Sequence, residues 1–170
     1  MTVGRFLGTR PERGVPMSDP ALVPGAALAD AKVTTSDGRI VALSELLGGN
    51  PAVIHFMRTA TCSACMAHGK VLGKLAEQGR LGTARVVFLT AGGAADAAQV
   101  EKVLTPPVAV AAVGADHSAF GLKRSGQFQQ SATIVVDSDM VVRQATLAAM
   151  PHKSFDRVAT IAAIDGMAAA

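Results

Sequence analysis

Three strand-length apolar runs, each followed by a stretch of different period, constrain this chain more than any other feature. AVIHFM (52–57), ARVVFLT (84–90) and VAVAAV (108–113) are continuous rather than alternating, so they suit strands covered on both faces. After the first run, Cys65, His68, Leu72 and Leu75 recur every three or four residues and share one helical face. Gly69 and Gly73 weaken that helix slightly, and Gly79 marks its end. After the second run, AADAAQVEKVL (94–104) reads as a helix stopped by Pro106-Pro107. After the third, HSAFGL is a short helical turn closed by Gly121.

The flanks add two hairpins. KVTTSDGRIVAL (32–43) carries two β-prone runs around an Asp-Gly step, and Ser44 then predicts the cap of a short helix, SELLGG. SATIVVD and MVVRQATL are joined by the polar step Asp137-Ser138-Asp139. Pro151 breaks the chain, and Ser154 predicts the cap of a last helix with Phe155, Val158, Ile161 and Ala162 as its apolar stripe. Strands alternating with helices give an α/β domain with a central mixed β-sheet, helices on both faces and an N-terminal β-hairpin. Residues 23–170 form that domain, and 1–22, where Pro, Gly and Arg recur, read as a flexible N-terminal tail in which Met17 is an alternative start.

Composition narrows the function. Of 170 residues 49% are hydrophobic and 17% charged, which excludes a disordered chain. The sixteen Lys and Arg are dispersed and the net charge is only +3, so nucleic acid is not an expected partner. Six Phe with no Trp or Tyr are a poor stacking platform for bases. No apolar run approaches the length of a membrane helix, and the first residues lack the core of a signal peptide. The expectation is a cytoplasmic protein without a membrane partner, where a close cysteine pair is redox-active or metal-binding rather than a structural staple.

The chain has two cysteines, Cys62 and Cys65, and they stand where the first buried strand gives way to a helix. Helix N-terminal amides and the positive end of the dipole face Cys62, which favours thiolate over thiol. Cys65, one turn in, shares the face of Leu72 and Leu75 and is expected to be more sheltered. One exposed acidic thiol with a covered partner is the arrangement of an attacking and a resolving cysteine. The plainer reading is two small core residues. A metal reading adds His68, but a structural zinc site takes four ligands, and His55, His117 and His152 are scattered.

The order strand, CxxC, helix, then βαβ, hairpin and helix resembles the thioredoxin fold. VIHFMRTATCSAC and MVVRQATLAAMPHKSF resemble its alkyl hydroperoxide reductase/thiol-specific antioxidant branch, the peroxiredoxin-like or redoxin family, over residues 25 to 165. That family carries a Thr three residues before its peroxidatic cysteine, as Thr59 stands to Cys62, and an active-site Arg on a strand after a β-turn, as Arg143 does here. Two differences accompany the likeness. The family's Pro four residues before that Thr is His55 in this chain, and Ser63-Ala64 and Ser131-Ala132-Thr133 replace the sequences that would make it a thioredoxin.

The resemblance implies a thiol-dependent antioxidant oxidoreductase that reduces hydroperoxides. Cys62 would be the peroxidatic thiolate, Cys65 the resolving cysteine, and Thr59 and Arg143 would hold the peroxide oxygens. No cofactor and no metal are implied. A thioredoxin-like or low-molecular-weight thiol would act as reductant, and a homodimer is a common state of such proteins. Two rivals stay open: a thiol-disulfide oxidoreductase without peroxidase activity, and a copper or zinc carrier on the same scaffold. The supporting residues also have simpler readings. Arg143 can be the polar face of an edge strand, Thr59 a loop residue, Arg58 a solvated cation, and His55 a hydrogen-bonded core histidine.

Overall fold

A computed structural model describes residues 22–125 and 128–169; the proposed tail therefore lies, except for Leu22, outside the described residues. The elements in chain order are β1 (Lys32–Thr35), β2 (Ile40–Ala42), α1 (Leu43–Leu47), β3 (Ala52–Phe56), α2 (Ser63–Glu77), β4 (Arg85–Thr90) and α3 (Ala94–Glu101). There follow β5 (Val108–Ala112), β6 (Arg124–Ser125), β7 (Phe128–Gln129), β8 (Ser131–Val136), β9 (Val142–Ala148) and α4 (Arg157–Ala168). Short 3-10 turns lie at Ser118–Phe120 and Pro151–Lys153.

Seven strands form one mixed sheet in the order β2-β1-β5-β4-β3-β8-β9. The three continuous apolar runs are its parallel centre, β3 beside β4 and β4 beside β5. Both hairpins form as expected: Val33 opposes Val41 in the first, with Gly38 at φ +85° in its turn, and Thr133 opposes Thr146 in the second. The architecture is a thioredoxin-like α/β fold. No helix among the described residues is long and apolar enough to cross a membrane.

Each central strand is buried on both faces because two apolar clusters sandwich it. One face of the sheet, with Ile54, Phe56, Val87, Leu89 and Ile134, packs on α1 and on Phe120 and Leu122. The other, with Val53, Met57, Val86, Phe88 and Val135, packs under α2, α3 and α4. Helix α2 lies close to the chain that follows α3. A Cβ placed on Gly69 would sit 2.5 Å from a Leu104 methyl, so a larger residue there would have to push that side chain aside.

Three boundaries differ from the sequence reading. Ala42, not Ser44, stands at the N-cap of α1, because the Ser44 amide and hydroxyl are both taken by Asp30, at 2.8 and 2.7 Å. Helix α3 ends at Glu101, ahead of the proline pair, in a turn that carries Leu104 back onto α2. Helix α4 is capped by Asp156, which accepts from the Ala159 amide at 2.9 Å, while Ser154 is buried two residues earlier. That later start rotates the stripe. Thr160 and Ile164 face the core and Val158 is 79% exposed.

Candidate active site

The buried strand β3 delivers the chain to the sheet's carboxyl edge, and the loop Met57–Thr61 turns it into α2. Cys62 takes extended backbone at the N-cap of that helix, and its sulfur accepts a hydrogen bond from the Cys65 amide at 3.3 Å. Cys62 and Cys65 are joined as a disulfide, with their Cα atoms 5.3 Å apart. The two sulfurs nonetheless face different surroundings. Cys62 is half-buried at the edge of an open depression of about 520 Å³ lined also by Arg58, Thr59, Thr61, Pro151 and His152. Cys65 is fully buried among Leu72, Phe88 and Val135.

Thr59 is exposed in the same depression, its hydroxyl 3.3 Å from that of Thr61, and its carbonyl accepts from the Cys62 amide at 3.2 Å. Cys62, Cys65 and Thr59 are thus brought together.

Arg143 is not. It lies on β9 at an irregularity beside Val135 and Val136, and those residues pair with the beginning of β3, at Val53 and Ala52. The cysteines follow the end of β3, so the strand alone separates the two places by roughly 15 Å. There Arg143 makes a paired hydrogen bond to Asp137, at 2.8 Å from Nε and 2.5 Å from Nη2. Asp137 titrates below the usual carboxylate range; burial opposes that shift, and the Val141 amide and Arg143 outweigh it. Arg143 therefore acts as the polar edge-strand residue of the simpler reading. The guanidinium-bearing residue that lines the depression with Cys62 is Arg58.

Beneath Cys65 is a cluster of polar side chains, none of them within the sequence-predicted set. Alternation along β8 turns Ser131, Thr133 and Val135 toward the helices, and β3 turns His55 the same way. The Ser131 hydroxyl is 3.9 Å from the Cys65 sulfur, 2.9 Å from the Phe56 carbonyl, 2.8 Å from the Ser154 hydroxyl and 3.5 Å from His55 Nε2. His55 Nδ1 is 2.8 Å from the Thr133 hydroxyl. The His68 ring packs edge-on to His55, at 5.5 Å, and its Nε2 donates to the Pro151 carbonyl at 2.8 Å. Burial first, then the neighbouring His68 and His117, lower the His55 pKa to about 3, so the ring is neutral. His117 is also lowered, chiefly by burial, and Nε2 bonds the Met57 carbonyl at 2.7 Å. The parity of Ser131 and Thr133 is visible in the sequence; their meeting with Ser154, 23 residues away, is not.

The arrangement can cycle between dithiol and disulfide, exposing one sulfur to a reagent and sheltering the other. Among the described residues no group of three or more His, Cys, Asp or Glu is placed to hold a metal ion.

The family model described as AhpC/TSA matches residues 24–145. Among solved structures the chain is similar to peroxidoxin BcpB from Mycobacterium tuberculosis, at 19% identity, with 86% of this chain and 99% of that one covered and a TM-score of 0.69. Similar too is reduced Prx3 from Vibrio vulnificus, at 20% identity over 85% of this chain and 99% of that one, TM-score 0.71. A candidate protein disulfide isomerase from Bacteroides thetaiotaomicron aligns at 12% identity over 88% of this chain and 91% of that one, TM-score 0.63. At these identities the likeness is one of fold. No curated protein matches.

Proposed function

Because the chain belongs to the AhpC/TSA family, we propose that it is a thiol-dependent oxidoreductase that takes a hydroperoxide as its oxidising substrate. The observation that carries the reading is the asymmetric pair: Cys62 half-exposed at a helix N-cap, its sulfur held by a backbone amide, and Cys65 bonded to it from the core.

In the reduced protein the Cys62 thiolate attacks the terminal oxygen of ROOH. The O–O bond breaks, the sulfur becomes a sulfenic acid, and the departing alkoxide takes a proton to leave as ROH. Cys65 then attacks that sulfur; its thiol proton leaves with the hydroxyl as water, and the disulfide forms. Thr59, which lines the same depression, hydrogen-bonds the peroxide in this reading. Arg58 takes the part expected of Arg143, favouring the thiolate and the developing negative oxygen. An external thiol, thioredoxin-like or of low molecular weight, restores the dithiol by exchange. A reducing compartment such as the cytoplasm suits that last step. Both sulfurs come from one chain, so a homodimer is compatible with the chemistry and not required by it.

One observation favours the narrower alternative, a thiol-disulfide oxidoreductase indifferent to peroxide: Arg143 is committed to Asp137 at the other end of its strand. Cys65→Ser protein separates the two. A peroxidase forms a Cys62 sulfenate when given hydrogen peroxide, detected by a dimedone-type trap and mass spectrometry. A disulfide reductase instead accumulates a mixed disulfide with its substrate and leaves peroxide unconsumed, and that outcome would remove the peroxide step.

A further inference from the structure

A sulfur as deeply buried as that of Cys65 cannot carry charge without a hydrogen-bond donor, and the fold supplies one. We propose that Ser131 is a catalytic residue of this site: its hydroxyl donates to the Cys65 sulfur whenever that sulfur is a thiolate, with Ser154 as the positioning residue behind it. The proposal rests on the dithiol–disulfide reading above and adds a residue to it.

Hydrogen counting supports the assignment. The Pro151 carbonyl only accepts, so the 2.8 Å contact with His68 Nε2 requires the proton on that nitrogen. The Ser154 hydroxyl donates to the same carbonyl at 2.7 Å, and because His68 also serves that carbonyl, Ser154 can release it and turn toward Ser131, 2.8 Å away. Ser131 has one hydrogen. In the disulfide state it is shared between the Phe56 carbonyl at 2.9 Å and the Ser154 oxygen at 2.8 Å, because a bonded sulfur at 3.9 Å is a weak acceptor. A thiolate at the same place reverses the preference, since a bond to an ionised partner is about twice as strong as a neutral one. When Ser131 turns to the thiolate and Ser154 follows it, the two hydroxyls form a polarised chain ending on sulfur.

Ser131 and Ser154 are fully buried, and each bonds a backbone carbonyl, so the hydroxyl beside the Cys65 sulfur is held in place in the core. The titratable groups facing the chain are His55 from β3 and His68 from α2, and among the described residues no carboxylate hydrogen-bonds into it. Among the described residues the side-chain hydrogen-bonding group beside the Cys65 sulfur is the Ser131 hydroxyl.

The step served is reductive. The thiolate of an external thiol attacks the Cys62 sulfur and bonds to it; the bond to Cys65 breaks and its electron pair stays on Cys65, which Ser131 then holds. A second thiol attacks the reductant's sulfur, releasing Cys62 as thiolate and the reductant as disulfide. The two thiol protons end on solvent or on the two cysteines.

Thiolate absorbance titrated in Cys62→Ser protein, which keeps Cys65 as its single thiol, tests the proposal without peroxide or partner. Adding Ser131→Ala should raise the Cys65 midpoint by about one pH unit, Ser154→Ala should raise it by about a third as much, and Ser131→Thr should restore it. In the chain with both cysteines, Ser131→Ala should slow reduction by dithiothreitol about threefold, because a more basic thiolate leaves more slowly. A midpoint unmoved in Ser131→Ala overturns the proposal. Should that variant not fold, an unmoved midpoint in natively folded Ser154→Ala overturns it equally. A protein that consumes no peroxide yet shows these shifts would lose its peroxidase reading and keep this one.

Discussion

Cys62 and Cys65 are covalent neighbours, yet the donors around them have nothing in common. The first sulfur is served by a backbone amide at a helix start, open to solvent on one side. The second is served by a side-chain hydroxyl inside the core, within a ring of histidines and serines. A backbone donor is always present and needs no particular side chain, so Cys62 is poised by topology. A hydroxyl must be supplied by sequence and can swing, so Cys65 is stabilised only when charged. The difference assigns the order of events: the outer sulfur meets the reagent, and the inner one enters and leaves as partner.

The strongest way to break that comparison is to exchange the sulfurs' roles. Cys62→Ser is expected to lower peroxide consumption at least about 100-fold, whereas Cys65→Ser should complete one oxidation of Cys62 and then stop. Equal defects in a single-turnover assay would erase the distinction.

Next comes the inner environment. The unfolded chain's histidine titrates near 6.5, and folded His55 near 3. Below 6.5 the unfolded state takes up a proton that the folded state refuses, so stability is complete above that pH and declines as pH falls toward 3. From pH 7 to 5 the loss from His55 is about 2 kcal/mol, and His117 adds to it in the same direction. Denaturant melts at the two pH values measure this, and His55→Asn should flatten the dependence.

Smaller effects belong to the outer environment. Arg58→Ala should slow the reaction of Cys62 with peroxide about tenfold, read as the bimolecular rate by stopped flow. Arg143→Ala should leave that rate within about twofold and cost under about 1 kcal/mol, since its side chain is 51% exposed and it serves only a surface pair. A rate loss at Arg143 that matched the loss at Arg58 would return the cation to where the sequence reading put it.

What was legible in the sequence depended on range. The central strands could be read because a strand buried on both faces is written as an unbroken apolar run, as in Ala52–Phe56. The cysteine pair could be read because the switch of period after residue 57 places it at a helix start. Arg143 misled because its context resembles a family motif while the strand irregularity and the pairing with β3 decide which end of the sheet it occupies, and neither is local. Ser154 looked like a cap because serine ahead of a helical stripe commonly is one; Asp156, two residues on, takes that place. The meeting of Ser131 with Ser154 under Cys65 was invisible for the same reason. The members of that polar cluster come from two strands, a helix and a turn and share no spacing.

The clasp of Gly69 on Leu104 carries a mechanical corollary. The close approach anchors the middle of α2 against the neighbouring segment, so a change at the sulfur–sulfur link is expected to stay upstream of residue 69. Amide deuteration compared between the two redox forms should differ over residues 62–68 and coincide from 70 onward; a change spread along the whole rod would mean the anchor slips.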